Sequence, residues 1–172
     1  MSVARRDVLK FAAATPGLVG FGVAAASLRA ATASAALGTL LDYAAGVIPA
    51  SEIRAAGAVG SIRYVSDRRP GGNWMLGKPI QAGEARDLSS NGLKIVSCYQ
   101  YGKGSTSDWL GGAAAGVEHA RRGMQLHAAA GGPPGAPIYA SIDDNPSYDQ
   151  YKQQVAPYLR SWESVIGHQR TG

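Results

Sequence analysis

The chain has 172 residues, 17 Lys and Arg against 12 Asp and Glu, a formal charge of +5, a hydrophobic share of 45% and one cysteine. That is enough chain for one domain with its own core, while a single cysteine excludes an internal disulfide. The positive charge does not point to nucleic acid. Arg5, Arg6, Lys10 and Arg29 against Asp7 place +3 within residues 1–36 and leave +2 for the rest, where Arg68–Arg69 and Arg121–Arg122 are the basic pairs and no basic stripe is formed.

Residues 1–36 read as an export signal. A basic start leads into an apolar run from Phe11 to Leu28, and Ala33–Ser34–Ala35 supplies small residues for a signal peptidase. Pro16, Gly17, Gly20 and Gly22 weaken the same run as a core helix. The stretch "RRDVLK" resembles the twin-arginine motif, which is an address read by a receptor. It implies the twin-arginine translocase as a partner during export and a final place in the cell envelope or outside the cell.

From residue 37 onward, strand-like and helix-like runs alternate. "LGTLLDY" (37–43) predicts a strand and "PASEIRAAG" (49–57) a short helix opened by Pro49 and closed by Gly57. "VGSIRYV" (59–65) is β-rich, and "QAGEARDLSSNG" (81–92) is a helix ending at Asn91–Gly92. "LKIVSCYQY" (93–101) is a third strand. Residues 107–131 follow as a long helix interrupted at Gly111–Gly112. "PIYASIDD" (137–144) is the fourth strand, and 147–167 a last helix that Pro157 should kink or break. Four βα repeats predict an α/β fold with a parallel sheet and right-handed crossovers.

In such folds sites lie at the carboxyl ends of the strands. Asp42 ends the first strand, Ser66–Asp67–Arg68 follow the second, Tyr99, Gln100 and Tyr101 end the third, and Asp143, Asp144 and Asn145 end the fourth. Polar and aromatic groups at one rim suit a sugar or another small polar ligand. Alternation along the fourth strand puts Ile138, Ala140 and Ile142 toward the helices, and Tyr139, Ser141, Asp143 and Asn145 on the other side. On the second strand, Ser61, Arg63 and Val65 share a face. Arg63 is expected to pair with Asp42 and hold it ionised, either for a site or as a purely structural salt bridge. Cys98 lies in an apolar stretch and reads as a buried, inert thiol. "YGKGSTSDW" lacks the spacing of a phosphate-binding loop. No metal and no cofactor is expected.

The segments "LLDYA", "IRYVSDRRP", "GKPIQAGEARDLSSNGLKIVSCYQYG" and "APIYASIDDNP", in this order and spacing, resemble a Tat-exported, glycoside-hydrolase-like domain family of uncharacterised function, common in actinobacteria. The resemblance covers residues 38–172. It implies a (β/α) barrel related to secreted lysozymes of the muramidase type, acting on cell-wall glycan. By the resemblance, Asp42 and Asp143 take the family's acidic positions as candidate catalytic residues. Arg63, Tyr99, Gln100 and Asn145 are the candidate substrate-binding residues beside them. Asn145 stands where related lysozymes carry a second acid, a departure that favours binding over hydrolysis. A (β/α)8 barrel needs about 250 residues. Residues 37–172 therefore read as its first four βα units, about half, and the chain as a shortened form. Two functions stay open: a glycosidase using Asp42 and Asp143, or a non-catalytic glycan-binding or envelope-interaction protein on the same scaffold.

Overall fold

Four strands carry the alternation into a sheet: β1 (Leu40–Asp42), β2 (Gly60–Tyr64), β3 (Lys94–Tyr99) and β4 (Ile138–Ala140). They pair in parallel, in chain order β1-β2-β3-β4. The structure is a computed structural model that describes residues 38–172. The export segment expected over residues 1–36 lies outside the described residues. Helices α1 (Ala50–Ala55), α2 (Ala82–Ser90) and α3 (Gly112–Ala129) make the crossovers. After β4 come a single turn α4 (Tyr148–Gln150), a π turn (Tyr151–Val155) and α5 (Ala156–Ile166). The predicted βα alternation and parallel sheet are therefore present, with shorter elements.

Local chemistry sets these limits. The helix α2 stops where Gly92 turns to φ +72 and the Leu93 N–H reaches back to the Leu88 carbonyl at 3.0 Å, the αL ending that glycine permits. The long helix predicted over 107–131 is interrupted where expected. A 3₁₀ turn (Asp108–Gly111) ends at Gly112, whose φ of +55 reorients the chain into α3. Pro157 does not break the last helix. The π turn just before it puts Pro157 in the first turn of α5, where proline's missing N–H is not needed. β4 is shorter than the predicted 137–144. Its ladder closes with Ser141 N donating to Tyr99 O at 2.9 Å. Asp143 and Asp144 are then drawn sideways to the segment 103–109.

The register divides the side chains. Leu41, Ser61, Arg63, Ile95, Ser97, Tyr99, Ile138 and Ala140 lie on the face that the helices cover. Asp42, Ile62, Tyr64, Val96, Cys98 and Tyr139 lie on the opposite, open face. On the covered side, Tyr99, Ile138, Tyr158, Trp162 and Ile166 form the main core, and Ala50, Ile53, Leu88 and Leu93 a second one beneath α1 and α2. Trp162 is fully buried, and a side chain of this kind is worth about 3–5 kcal/mol against alanine. Helices α3 and α5 approach so closely that a Cβ on Gly116 would stand 2.3 Å from the Tyr158 carbonyl oxygen. Beyond α5, Thr171 bridges in parallel to Ile138, and Ala140 N donates to Gly172 O at 3.1 Å.

Candidate functional site

The carboxyl ends of the strands meet at a hollow of about 190 Å³. Tyr64 from β2, Arg69, Trp74 and Lys78 from the loop after it, Gln100 and Lys103 from the loop after β3, and Asp143 line it. Asp143 accepts from Lys103 Nζ at 2.6 Å and from Gln100 Nε2 at 3.3 Å. Asp42, exposed at the end of β1, accepts from the Tyr64 hydroxyl at 3.0 Å. Tyr64 feels both carboxylates, Asp42 the more strongly. Burial first, then these negative neighbours, push its phenol well above the ordinary tyrosine value. It therefore acts as a hydrogen-bond donor at any physiological pH.

The floor is held by a buried cation. Lys78 is only 4% exposed, and its ammonium stands 4.4 Å from the centre of the Tyr64 ring. It donates to the Gln100 carbonyl, which also accepts from Ser66 Oγ at 2.7 Å. Burial pulls the Lys78 ammonium down to about 8. The wall at Tyr101–Gly102 is pinned from below by Asp108, which takes their two N–H groups at 2.8 and 2.7 Å. Asp108 is itself buried; desolvation pushes its carboxyl up and the two N–H bonds oppose this.

The structure distributes the candidate residues unevenly. Asp143 and Gln100 line the hollow, and Asp42 reaches it through Tyr64. Asn145 is exposed and lies outside that lining. Arg63 and Tyr99 are on the helix-covered face, fully buried and 2% exposed. The expected pairing of Arg63 with Asp42 is not formed. Neighbouring residues on one strand face opposite ways, so Arg63 points away from Asp42, and Glu84 of α2 takes it instead. Arg63 Nε meets Glu84 Oε1 at 2.6 Å and Nη2 meets Oε2 at 3.2 Å. The rest of the guanidinium donates to the Tyr43 carbonyl and, at 2.6 Å, to the Gly77 carbonyl, with the Tyr43 ring 3.9 Å away. It thus ties the loops after β1 and β2 to α2. Tyr99 packs against Trp162 and His119. Asp144, on the other parity, accepts from Ser107 Oγ, Gly104 N and Trp109 Nε1.

Sequence reasoning missed Tyr64, Trp74, Lys78 and Lys103. Tyr64 could have been found from the period of two, since Ile62 and Tyr64 share the face of Asp42. The others stand in the loops after β2 and β3, where no periodicity reports on direction. Cys98 is buried beside the site; desolvation, followed by Asp42, pushes its thiol up to about 11.

The α/β domain thus carries two carboxylates at one strand rim, one bonded to a phenol and the other to a lysine. A family model described as "Rv2525c-like, glycoside hydrolase-like domain" matches residues 51–172, and the chain belongs to that family. It is 85% identical to a Mycobacterium tuberculosis (strain ATCC 25618 / H37Rv) protein named "Putative peptidoglycan hydrolase Rv2525c". That match covers 100% of this chain and 72% of the relative. The crystal structure of the Mycobacterium tuberculosis Tat-secreted protein Rv2525c in complex with L-tartrate superposes with a TM-score of 0.78 at 88% identity, over 79% of this chain and 67% of that one. The modular autolysin LytC from Streptococcus pneumoniae, solved in complex with a synthetic peptidoglycan ligand, shares the fold at a TM-score of 0.52 and 12% identity, over 77% of this chain and 31% of its own.

Proposed function

We propose that this chain is an exported cell-envelope protein whose glycoside-hydrolase-like domain engages cell-wall glycan in the hollow around Asp143. Its four βα units are the first half of a (β/α)8 barrel, with the open face of the sheet as the barrel interior. Consecutive parallel order and the pairing of Thr171 beside β4 support that architecture, as does the fold likeness to LytC. Export by the twin-arginine route rests on "RRDVLK" and on the Tat-secreted relative. Among the described residues no helix is long and apolar enough to cross a membrane.

The observation that carries this reading is the placement of Asp42 and Asp143 on either side of Tyr64 at one rim. Carboxylates, a phenol and the Gln100 amide can exchange hydrogen bonds with sugar hydroxyls, and Trp74, 56% exposed, offers a ring face for stacking. Arg63 and Tyr99 support the site from behind, and Asn145 is a contact for the glycan at the outer rim.

Two readings of the chemistry follow. Hydrolysis requires one carboxyl to give a proton to the leaving oxygen while the other stays ionised. The pair of carboxylates and the name of the 85% identical relative favour it. Against it, neither Asp42 nor Asp143 has the apolar burial that makes a carboxyl a proton donor. Arg63 does not hold Asp42, and Asp143 is ion-paired with the Lys103 ammonium at 2.6 Å. Among the described residues that line the hollow, Asp143 is the one carboxylate. Binding with little turnover is the reading the geometry supports best. The test is incubation with purified peptidoglycan and with soluble chito-oligosaccharides, followed by mass spectrometry for new reducing ends. Binding without turnover, weakened by Asp42→Asn and Asp143→Asn, is expected. Turnover abolished by both substitutions would overturn binding-only and establish the glycosidase.

A further inference from the structure

Two cations line the hollow, and among the described residues neither is ion-paired with a carboxylate. Lys78 is buried, and an ammonium has three hydrogens to give. Among the described residues its hydrogen bonding is to one carbonyl oxygen, that of Gln100. Arg69, half-buried in the next wall, makes no hydrogen bond or ion pair through its guanidinium among the described residues. A buried charge is ordinarily paired. The third cation there, Lys103, is already engaged by Asp143.

We propose that Arg69 and Lys78 form an anion subsite within the glycan hollow, which receives a carboxylate carried by the glycan. The inference rests on the glycan reading above and adds the charge of the ligand to it. Arg69 and Lys78 are near enough to repel each other, Arg69 opposing the charge on Lys78, while Asp108 and Asp42 act in the other direction. An acceptor-only group between the cations relieves that repulsion and takes up the open donors. A neutral hydroxyl, itself partly a donor, does this poorly. The guanidinium supplies a planar fork matched to a carboxylate, and the ammonium a point charge beneath it. Tyr64 and Gln100 line the same hollow and remain for hydroxyl and amide groups. The subsite thus selects an acidic sugar or its acidic substituent over a neutral ring of the same size.

The test uses the full chain and two disaccharides of equal ring size, chitobiose and the N-acetylglucosamine–N-acetylmuramic acid disaccharide. The latter carries one carboxylate on its lactyl ether. Isothermal titration at low salt should show the acidic disaccharide binding about tenfold or more tightly, the scale of one charge-assisted hydrogen bond. That preference should shrink at about 0.5 M salt, whereas chitobiose affinity should not move. Arg69→Gln, which removes a charge from a loop and leaves the core intact, should abolish the preference, so that both disaccharides bind the variant equally, while Arg69→Lys should keep part of it. A third probe with the lactyl carboxylate amidated by L-alanine moves the charge outward by one residue. Retained preference would place the carboxylate on a peptide substituent, and lost preference would place it on the sugar; either supports the subsite. Equal affinity for the two disaccharides, or a preference that survives Arg69→Gln, overturns the subsite and leaves the glycan reading standing. Binding of neither disaccharide removes both.

Discussion

Replacing Arg63 by Met should be among the most damaging single changes in this domain, although Arg63 touches no residue that lines the hollow except through the loops it holds. The guanidinium is fully buried, and its partner Glu84 has a side chain only 3% exposed. Met fills much of the same volume, so the loss is electrostatic. Glu84 keeps a phenol bond from Tyr43 at 2.9 Å but loses its counter-charge, and the carbonyls of Tyr43 and Gly77 lose their donor. Breaking a buried pair by removing one partner costs about 3–5 kcal/mol. For a domain of this size, 4 kcal/mol corresponds to roughly 15 °C in Tm. Guanidinium denaturation followed by tryptophan fluorescence reads the loss directly. A second variant separates the pair from simple packing. Arg63→Met with Glu84→Gln should recover a large part of the loss, since no lone charge is left. A loss below about 1 kcal/mol in Arg63→Met, or a double variant whose loss is the sum of the two single losses, would refute the reasoning.

Two other perturbations report on the site. The folded Lys78 ammonium titrates at about 8, against about 10.4 in an unfolded chain. Between these values the unfolded chain binds more protons, so Lys78 makes stability rise with pH from about 8 to about 10.4. Lys78→Met should flatten that rise in a pH series of urea melts; a rise of unchanged size would count against burial of the charge. Cys98, with its thiol at about 11, should alkylate with iodoacetamide at pH 8 far more slowly than a free cysteine and normally once unfolded. Fast labelling of the native protein would mean the open face is more accessible than its burial implies.

The alternation of strands and helices was legible because it depends on sums over many residues. Turn-forming glycines such as Gly92 and Gly112 marked the ends, and the parity of Ile138, Ala140 and Ile142 holds, all three packing with the core. Individual directions were harder. Charge made Arg63 look like a site residue, yet on β2 it is Tyr64 that shares the face of Asp42. What Arg63 turns toward is Glu84, 21 residues later on a helix, a pairing that no local pattern announces. Nor could any pattern name the partners past the end of β4, where Lys103, Ser107 and Trp109 take hold of the two aspartates. Trp74, Lys78 and Lys103 were hidden for the same reason: they stand in loops, where direction comes from tertiary contacts.

The bare Gly116 on α3 has a reach well beyond its own helix. With no side chain there, the Tyr158 backbone of α5 can seat directly on α3. Only four residues separate the end of α5 at Ile166 from Thr171, and they form one turn at Gly167 and a 3₁₀ step, His168–Arg170. So short a connection transmits position with little slack. The spacing between two helices on one side of the sheet therefore gauges where the chain arrives beside Ile138 on its edge. A side chain at position 116 would act as a shim: it would lift α5, and the misfit would surface some distance away as a slipped or lost strand pairing.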